Sequence, residues 1–426
     1  MSLFKNWKLA ASGVIFAGAT VLSLSANGET PVRDDAPPSH KSPVCDEAPL
    51  DCRWDGVCDS AMNPDLGLAS CSDQWRFSGW LQAGILANAD SPGSGFNGPY
   101  NQVDDRRGQL NQLYMIAEKS VSESAYTTLG GRLDVLWGAD YFLAQSTGLE
   151  RRPNGAPRWN SEDYGLALPQ AYAELGNRDW SVKAGHFYTP IGFEGVPSVG
   201  NFFYSKSLSY MFAGPFTHWG AIATHRYGLL TIDAGLVNGW DTFDRTNDSV
   251  SFIGKISLGE PSSRNKASFG IITGDETNGA GTAQTNRTRY SLILSSLLTD
   301  DLEYVFHHWL GTQDAFLANG EAADWYGIDQ YLFYNLSSNV KLGLRYEWFR
   351  DDEGVRLGLN RPSNPNNPPF VGSMHSVSTG INYRINNSLI VRPELRYDSF
   401  HGTGNPFNDG LDDSQFLYGF DAILTF

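Results

Sequence analysis

From Trp75 onward the chain repeats one pattern, short runs of alternating apolar and polar positions separated by segments rich in turn residues. Period-2 alternation predicts β-strands with one face in apolar surroundings and the other in polar ones. Leu129, Gly131, Leu133, Val135 and Trp137 oppose Arg132 and Asp134. Val340, Leu342, Leu344, Tyr346 and Trp348 oppose Lys341, Arg345 and Glu347. Leu389, Val391, Leu395 and Tyr397 oppose Arg392, Glu394, Arg396 and Asp398. Sixteen such runs fall at 75–87, 110–120, 127–138, 167–176, 180–188, 217–226, 230–238, 249–258, 266–274, 288–298, 302–311, 325–336, 340–350, 375–385, 389–398 and 416–426. Two break the pattern. Pro393 removes a ladder donor inside its run and predicts a bulge there or a misplaced strand. Gln330 falls on the apolar face of 325–336 and predicts a register shift.

The last run sets the architecture. Phe416, Tyr418, Phe420, Ala422, Leu424 and Phe426 share one face, and Leu417, Gly419, Asp421, Ile423 and Thr425 share the other. So apolar a strand would invite aggregation as an open edge, whereas in a closed barrel it pairs with both 389–398 and 75–87. The connections agree. Long ones (88–109, 139–166, 189–216, 351–374, 399–415) alternate with short ones such as Asn177–Asp179, Thr299–Asp301, Ser337–Asn339 and Asn386–Ser388, all turn chemistry. Long loops at one end and short turns at the other predict an all-β, antiparallel, up-and-down transmembrane β-barrel of about sixteen strands. A ten-residue strand at ~3.3 Å per residue, tilted ~40°, crosses roughly 25 Å, the apolar height of an outer membrane. An even strand count would leave both termini in the periplasm.

Composition fits this picture. Aromatics make up 13% of the chain and charged residues only 18%, below the ~25% of soluble surfaces. A mean hydropathy of -0.32 does not suggest a helical membrane protein, and the formal charge of -16 argues against nucleic-acid partners. Residues 1–28 read as a secretory signal peptide: Lys5 and Lys8, an apolar run from Leu9 to about Leu24, then small residues. Residues 29–74 form an acidic, Pro-rich periplasmic segment holding all four cysteines, Cys45, Cys52, Cys58 and Cys71. Their spacing lacks paired zinc knuckles, and export favours two disulfides whose connectivity has three alternatives. The barrel is 75–426.

Two interiors compete. In a water-filled channel the lumen charges act on passing solutes; in a plugged or structural interior they pair with one another. Sixteen strands leave an aqueous channel that wall side chains alone do not fill, which favours the channel. The expected pore-lining residues are Arg132, Asp134, Lys183, Arg345, Glu347, Arg384, Arg392, Glu394 and Arg396. The 189–216 connection, with Phe202, Phe203 and Tyr204 among many aromatics, is too apolar for a free external loop: either it folds inward as a constriction, with Glu194 as its pore-facing charge, or it packs on the rim or a neighbouring subunit. No enzyme chemistry or cofactor is implied, because the adjacent His307 and His308 lack a companion Ser motif. The Asp/Asn-rich stretches 241–248 and 405–413 lack the EF-hand order and read as solvated turns rather than calcium or other metal sites.

The segments GHFYTPIGFEG (185–195), PFTHWGAIAT (215–224) and LVNGWD (236–241) resemble the OmpL-like, β-barrel porin 2 family of planctomycete-type bacteria. The resemblance spans most of 75–426 and implies an outer-membrane porin, with no established substrate. The expected function is passive diffusion of small hydrophilic solutes across the outer membrane. The expected partners are lipid, those solutes and the barrel-assembly machinery, which the C-terminal Phe426 would address. Analogy with other sixteen-stranded porins allows a homotrimer. The alternatives are a structural or adhesive surface barrel with a plugged lumen and a secreted soluble β-sandwich.

Overall fold

The structure, a computed structural model, describes residues 75–97, 105–160, 163–244, 249–279, 281, 283–357 and 370–426. The expected signal peptide, the acidic segment and the four cysteines lie outside the described residues. Sixteen strands follow one another: β1 (Arg76–Asn88), β2 (Gln109–Lys119), β3 (Thr128–Gly138), β4 (Gly165–Gly176), β5 (Trp180–Tyr188), β6 (Thr217–Tyr227), β7 (Leu230–Val237) and β8 (Ser251–Leu258). The second half comprises β9 (Asn265–Thr277), β10 (Gln284–Leu297), β11 (Leu302–Gln313), β12 (Ala323–Ser337), β13 (Val340–Asp351), β14 (Gly372–Arg384), β15 (Leu389–Gly402) and β16 (Ser414–Thr425). Each pairs antiparallel with its sequence neighbours, and β16 pairs with β1, so the sheet is a closed barrel.

Closure happens where the last run predicts it. Asp421 sits opposite Gly84 on β1 and opposite Arg392 on β15. The chain end is stitched by reciprocal backbone bonds: Gly79 N–H donates to Phe426 O and Phe426 N–H to Gly79 O, both at 2.9 Å. Gly79 is needed there, because a Cβ would lie 2.8 Å from the Phe426 ring and 2.3 Å from Tyr114 O. Phe416, Tyr418, Phe420 and Phe426 all face outward and are exposed, while Leu417, Asp421 and Ile423 are buried inside.

The outward faces form a band. Leu133, Leu175, Val182, Ile232, Ile256, Leu294, Leu344, Ile381 and Leu395 stand exposed on them. Aromatics gather at strand ends: Trp137, Trp219, Phe252 and Phe416 towards the long loops, and Phe77, Trp180, Tyr227, Tyr383 and Phe426 towards the short turns. Apolar side chains bounded by amphipathic aromatics match the two interfaces and core of a bilayer.

Both breaks in the pattern resolve without a register change. β15 keeps one register against β14 on either side of Pro393, from Gly380 opposite Glu394 to Tyr383 opposite Val391, so a ladder link is lost without a bulge. Gln330 points outward as the alternation demands, and its amide oxygen accepts a 2.8 Å bond from Tyr304 Oη, which satisfies it in an apolar face. The shift in that strand lies further on, between Asn335 and Ser337.

Candidate functional site

Strand alternation alone turns rows of charge into the lumen, but a loop decides what they meet. Residues 189–216, joining β5 to β6, fold inward instead of over the rim. Their apolar side chains find cover there: Phe203, Tyr204, Leu208, Met211 and Phe212 are all buried. Phe202 packs flat on Gly343 of β13, where a Cβ would come within 2.2 Å of its ring. Phe212 meets Phe349 edge-on at 5.9 Å, and the Arg345 guanidinium covers Phe203 at 4.6 Å.

A loop with little regular structure needs partners for its backbone groups. Arginines and carboxylates of β13 and β15 supply them. Arg345 donates to Ser205 O at 3.0 Å and Arg396 to Lys206 O at 2.9 Å. Arg392 donates to Ser198 O at 3.1 Å and Asn201 O at 2.5 Å. Glu394 accepts from Ser205 N–H at 3.0 Å, and Glu347 accepts from Leu208 N–H. On the other flank, Gln112 of β2 donates to Val196 O at 2.7 Å and accepts from Ser198 N–H at 3.1 Å. Trp325 Nε1 donates to Ala213 O at 3.0 Å. The loop is thereby fused to the wall from β12 through β16 to β2.

The wall charges also pair with each other. Arg345 lies 2.7 Å from Glu347, Arg396 2.8 Å from Asp398, and Arg392 pairs with Asp421. Arg132 lies 2.7 Å from Asp134, which also accepts from Tyr114 and Gln170. Lys183 projects over the Tyr172 and Phe187 rings at 4.9 and 5.2 Å. Arg384 is half-buried at the short-turn end of β14.

Glu194 sits differently from the water-facing charge expected of it. Its side chain is only 5% exposed, 2.9 Å from Arg345, and accepts from Ser207 N–H at 2.7 Å and Tyr331 Oη at 3.2 Å. Burial alone would raise its carboxyl, but Arg345, the Ser207 amide and Lys206 hold it below the ordinary carboxylate range. Lys206, a residue with no distinguishing sequence signal, is buried in the same loop and donates to Gly195 O at 3.1 Å. Burial pulls its ammonium down to about 8, against the opposing pull of Asp140 and Glu194.

Two cavities adjoin the near arm of the loop. One, of about 950 Å³, lies against β4, β5, β10 and β11 and is lined by Lys183, Tyr188, Ile191, Tyr210, Arg289 and His307. The other, of about 520 Å³, lies towards the short turns against β8–β10 and is lined by Lys255, Ser257, Lys266, Ser268 and Ile293. Gly192 and Phe193 border both, so these two residues form the partition between them. Among the described residues no group of three or more His, Cys, Asp or Glu is placed to hold a metal.

Solved structures similar to this barrel include outer-membrane proteins and channels. OmpT of Vibrio cholerae, in its trimer form, superposes with a TM-score of 0.55 at 11% identity, over 83% of this chain and 99% of that one. The channel DcaP of Acinetobacter baumannii gives 0.56 at 12%, over 83% and 97%. An anion-selective porin from Comamonas acidovorans gives 0.55 at 10%, over 83% and 99%. At such identities the likeness is one of fold. No curated protein sequence matches the chain. The family model described as "Putative beta-barrel porin-2, OmpL-like" matches residues 74–426, the whole of the barrel. With a closed sixteen-stranded barrel, an apolar outer band and that match, the chain belongs to the OmpL-like β-barrel porin-2 family of outer-membrane porins.

Proposed function

We propose that small hydrophilic solutes diffuse passively through this barrel along the sector that the inward loop leaves open, between residues 189–197 and the β4–β11 wall. One asymmetry carries the reading. The loop is held by many hydrogen bonds along the wall from β12 through β16 to β2, whereas towards β10 it accepts a long bond, 3.4 Å, from Arg289 and borders both cavities at Gly192 and Phe193. Arg345, Glu347, Arg392, Glu394 and Arg396 then act as anchors of the constriction rather than as charges met by solute, and Arg132, Asp134 and Lys183 lie on the open side. The long loops face outward from the cell, and the short turns and chain ends face the periplasm, where the cysteine segment lies. Planar-bilayer recording of purified, refolded protein tests this: discrete open-channel steps are expected, and their absence would overturn it.

The paired interior charges favour a second reading, a structural barrel whose loop is a plug. It predicts an intact barrel without conductance and without swelling of sugar-loaded liposomes. A homotrimer also fits. The outward faces of β3 to β6 carry a row of small residues, Gly131, Ala173, Ala184 and Ala221, that would let barrels approach closely. Cross-linking in detergent should give a trimer band; a monomer alone would exclude it.

A further inference from the structure

Most lumen charges are spoken for, but Arg289 on β10 is not. It is 3% exposed, lines the larger cavity and has no carboxylate at ion-pairing distance among the described residues. Its Nη1 donates one long bond, 3.4 Å, to Ile191 O, and its Nε has no partner. The guanidinium lies between two loop glycines. A Cβ on Gly214 would stand 2.7 Å from its central carbon, and one on Gly192 would stand 3.9 Å from its Nη2. The loop thus leaves room for a bare planar cation. Asp329, across the wall on β12, bonds His307 at 2.9 Å and Ser209 through its Oδ2, its Oδ1 is buried without a partner, and neither oxygen lies within ion-pairing distance of Arg289. Two further donors line the same cavity: the Tyr210 hydroxyl, buried without a partner, and the Lys183 ammonium on its aromatic bed.

The two unpartnered groups that line the cavity, Arg289 Nε and the Tyr210 hydroxyl, can both donate, and burying a donor without an acceptor is unfavourable. A planar oxyanion supplies the missing acceptors, and a guanidinium matches it with two parallel bonds. We propose that Arg289, Tyr210 and Lys183 form an oxyanion subsite within the passage, taking the carboxylate or phosphate group of solutes in transit. This rests on the passage being open. A neutral sugar would cross the same cavity but leave the guanidinium unmatched.

Bilayer recording with a potassium chloride gradient, followed by addition of inorganic phosphate or acetate, separates the two claims. Wild-type channels should favour anions over potassium, and phosphate should reversibly reduce the current. Arg289→Gln should weaken the phosphate effect about tenfold, the loss expected for a charge-assisted bidentate contact. Arg289→Lys should keep the anion preference while weakening the phosphate effect. Tyr210→Phe, which removes one oxygen from a folded loop, serves if Arg289→Gln does not refold. Arg264→Gln, exposed and distant, is the control. Conducting channels that favour potassium, or phosphate block unchanged in Arg289→Gln and Tyr210→Phe, would overturn the subsite and leave the porin intact. Folded protein without steps would overturn the passage itself. Response to acetate as well as phosphate marks carboxylate solutes; response to phosphate alone restricts the class to phosphates.

Discussion

Arg345 shows how much one side chain can hold. It is wholly buried between Glu194 of the loop and Glu347 of its own strand. Removing one member of such a pair strands the other charges, which costs about 3–5 kcal/mol. Arg345→Met should therefore lower the temperature at which the folded gel form is lost and loosen the loop, raising single-channel conductance; unchanged melting and conductance would deny the anchor role. Lys206 gives a pH signature. Its ammonium titrates at about 8 when folded against 10.5 when free, so between those values the unfolded chain holds more protons. Stability should rise with pH from about 8 to 10, by up to about 1.4 kcal/mol per unit for one proton, and Lys206→Met should lack that rise. Melting curves of the two proteins across that window check it. The lumen direction of Arg345 is legible because alternation fixes it. Its partner is not, because Glu194 lies 151 residues away and only the fold brings them together.

At the level of elements, strands read well because two solvents, lipid and water, enforce the same period on every one. Even Gln330 keeps its outward place, once Tyr304 satisfies it. Pro393 misleads because a lost link in one ladder is tolerated while β16 still pairs with the strand through Phe420. The loop reads halfway. Its aromatic content announces that it packs, but its anchors are backbone carbonyls and serines such as Ser198 and Ser205, which carry no sequence signature. β16 makes its own prediction. Phe426 bonds Gly79 through both its backbone N–H and its backbone oxygen and faces outward at the barrel's short-turn end. Deleting Phe426 should reduce outer-membrane insertion, scored by heat-modifiable protein in membrane fractions, more than it reduces conductance per inserted channel. Unchanged insertion would mean that the terminal aromatic has no part in assembly.

For the whole molecule, the barrel's closure and its two ends follow from the pattern of runs and connections, but the shape of its interior does not. Near-balanced charge around a ring says nothing about where a loop will lie, and here the loop is anchored from β12 through β16 to β2 with two cavities adjoining it on the side of β4, β5 and β8–β11. Ser378 of β14 is fully buried beneath the loop and accepts from Arg345 at 3.1 Å, whereas Ser268 of β9 lines the smaller cavity on the open side. Single cysteines at these two positions, recorded in bilayers before and after a negatively charged thiosulfonate reagent, discriminate directly. Ser268→Cys channels should lose conductance on modification, and Ser378→Cys channels should respond no more than unmodified protein. Block through Ser378→Cys with none through Ser268→Cys would contradict an off-centre passage along β4–β11.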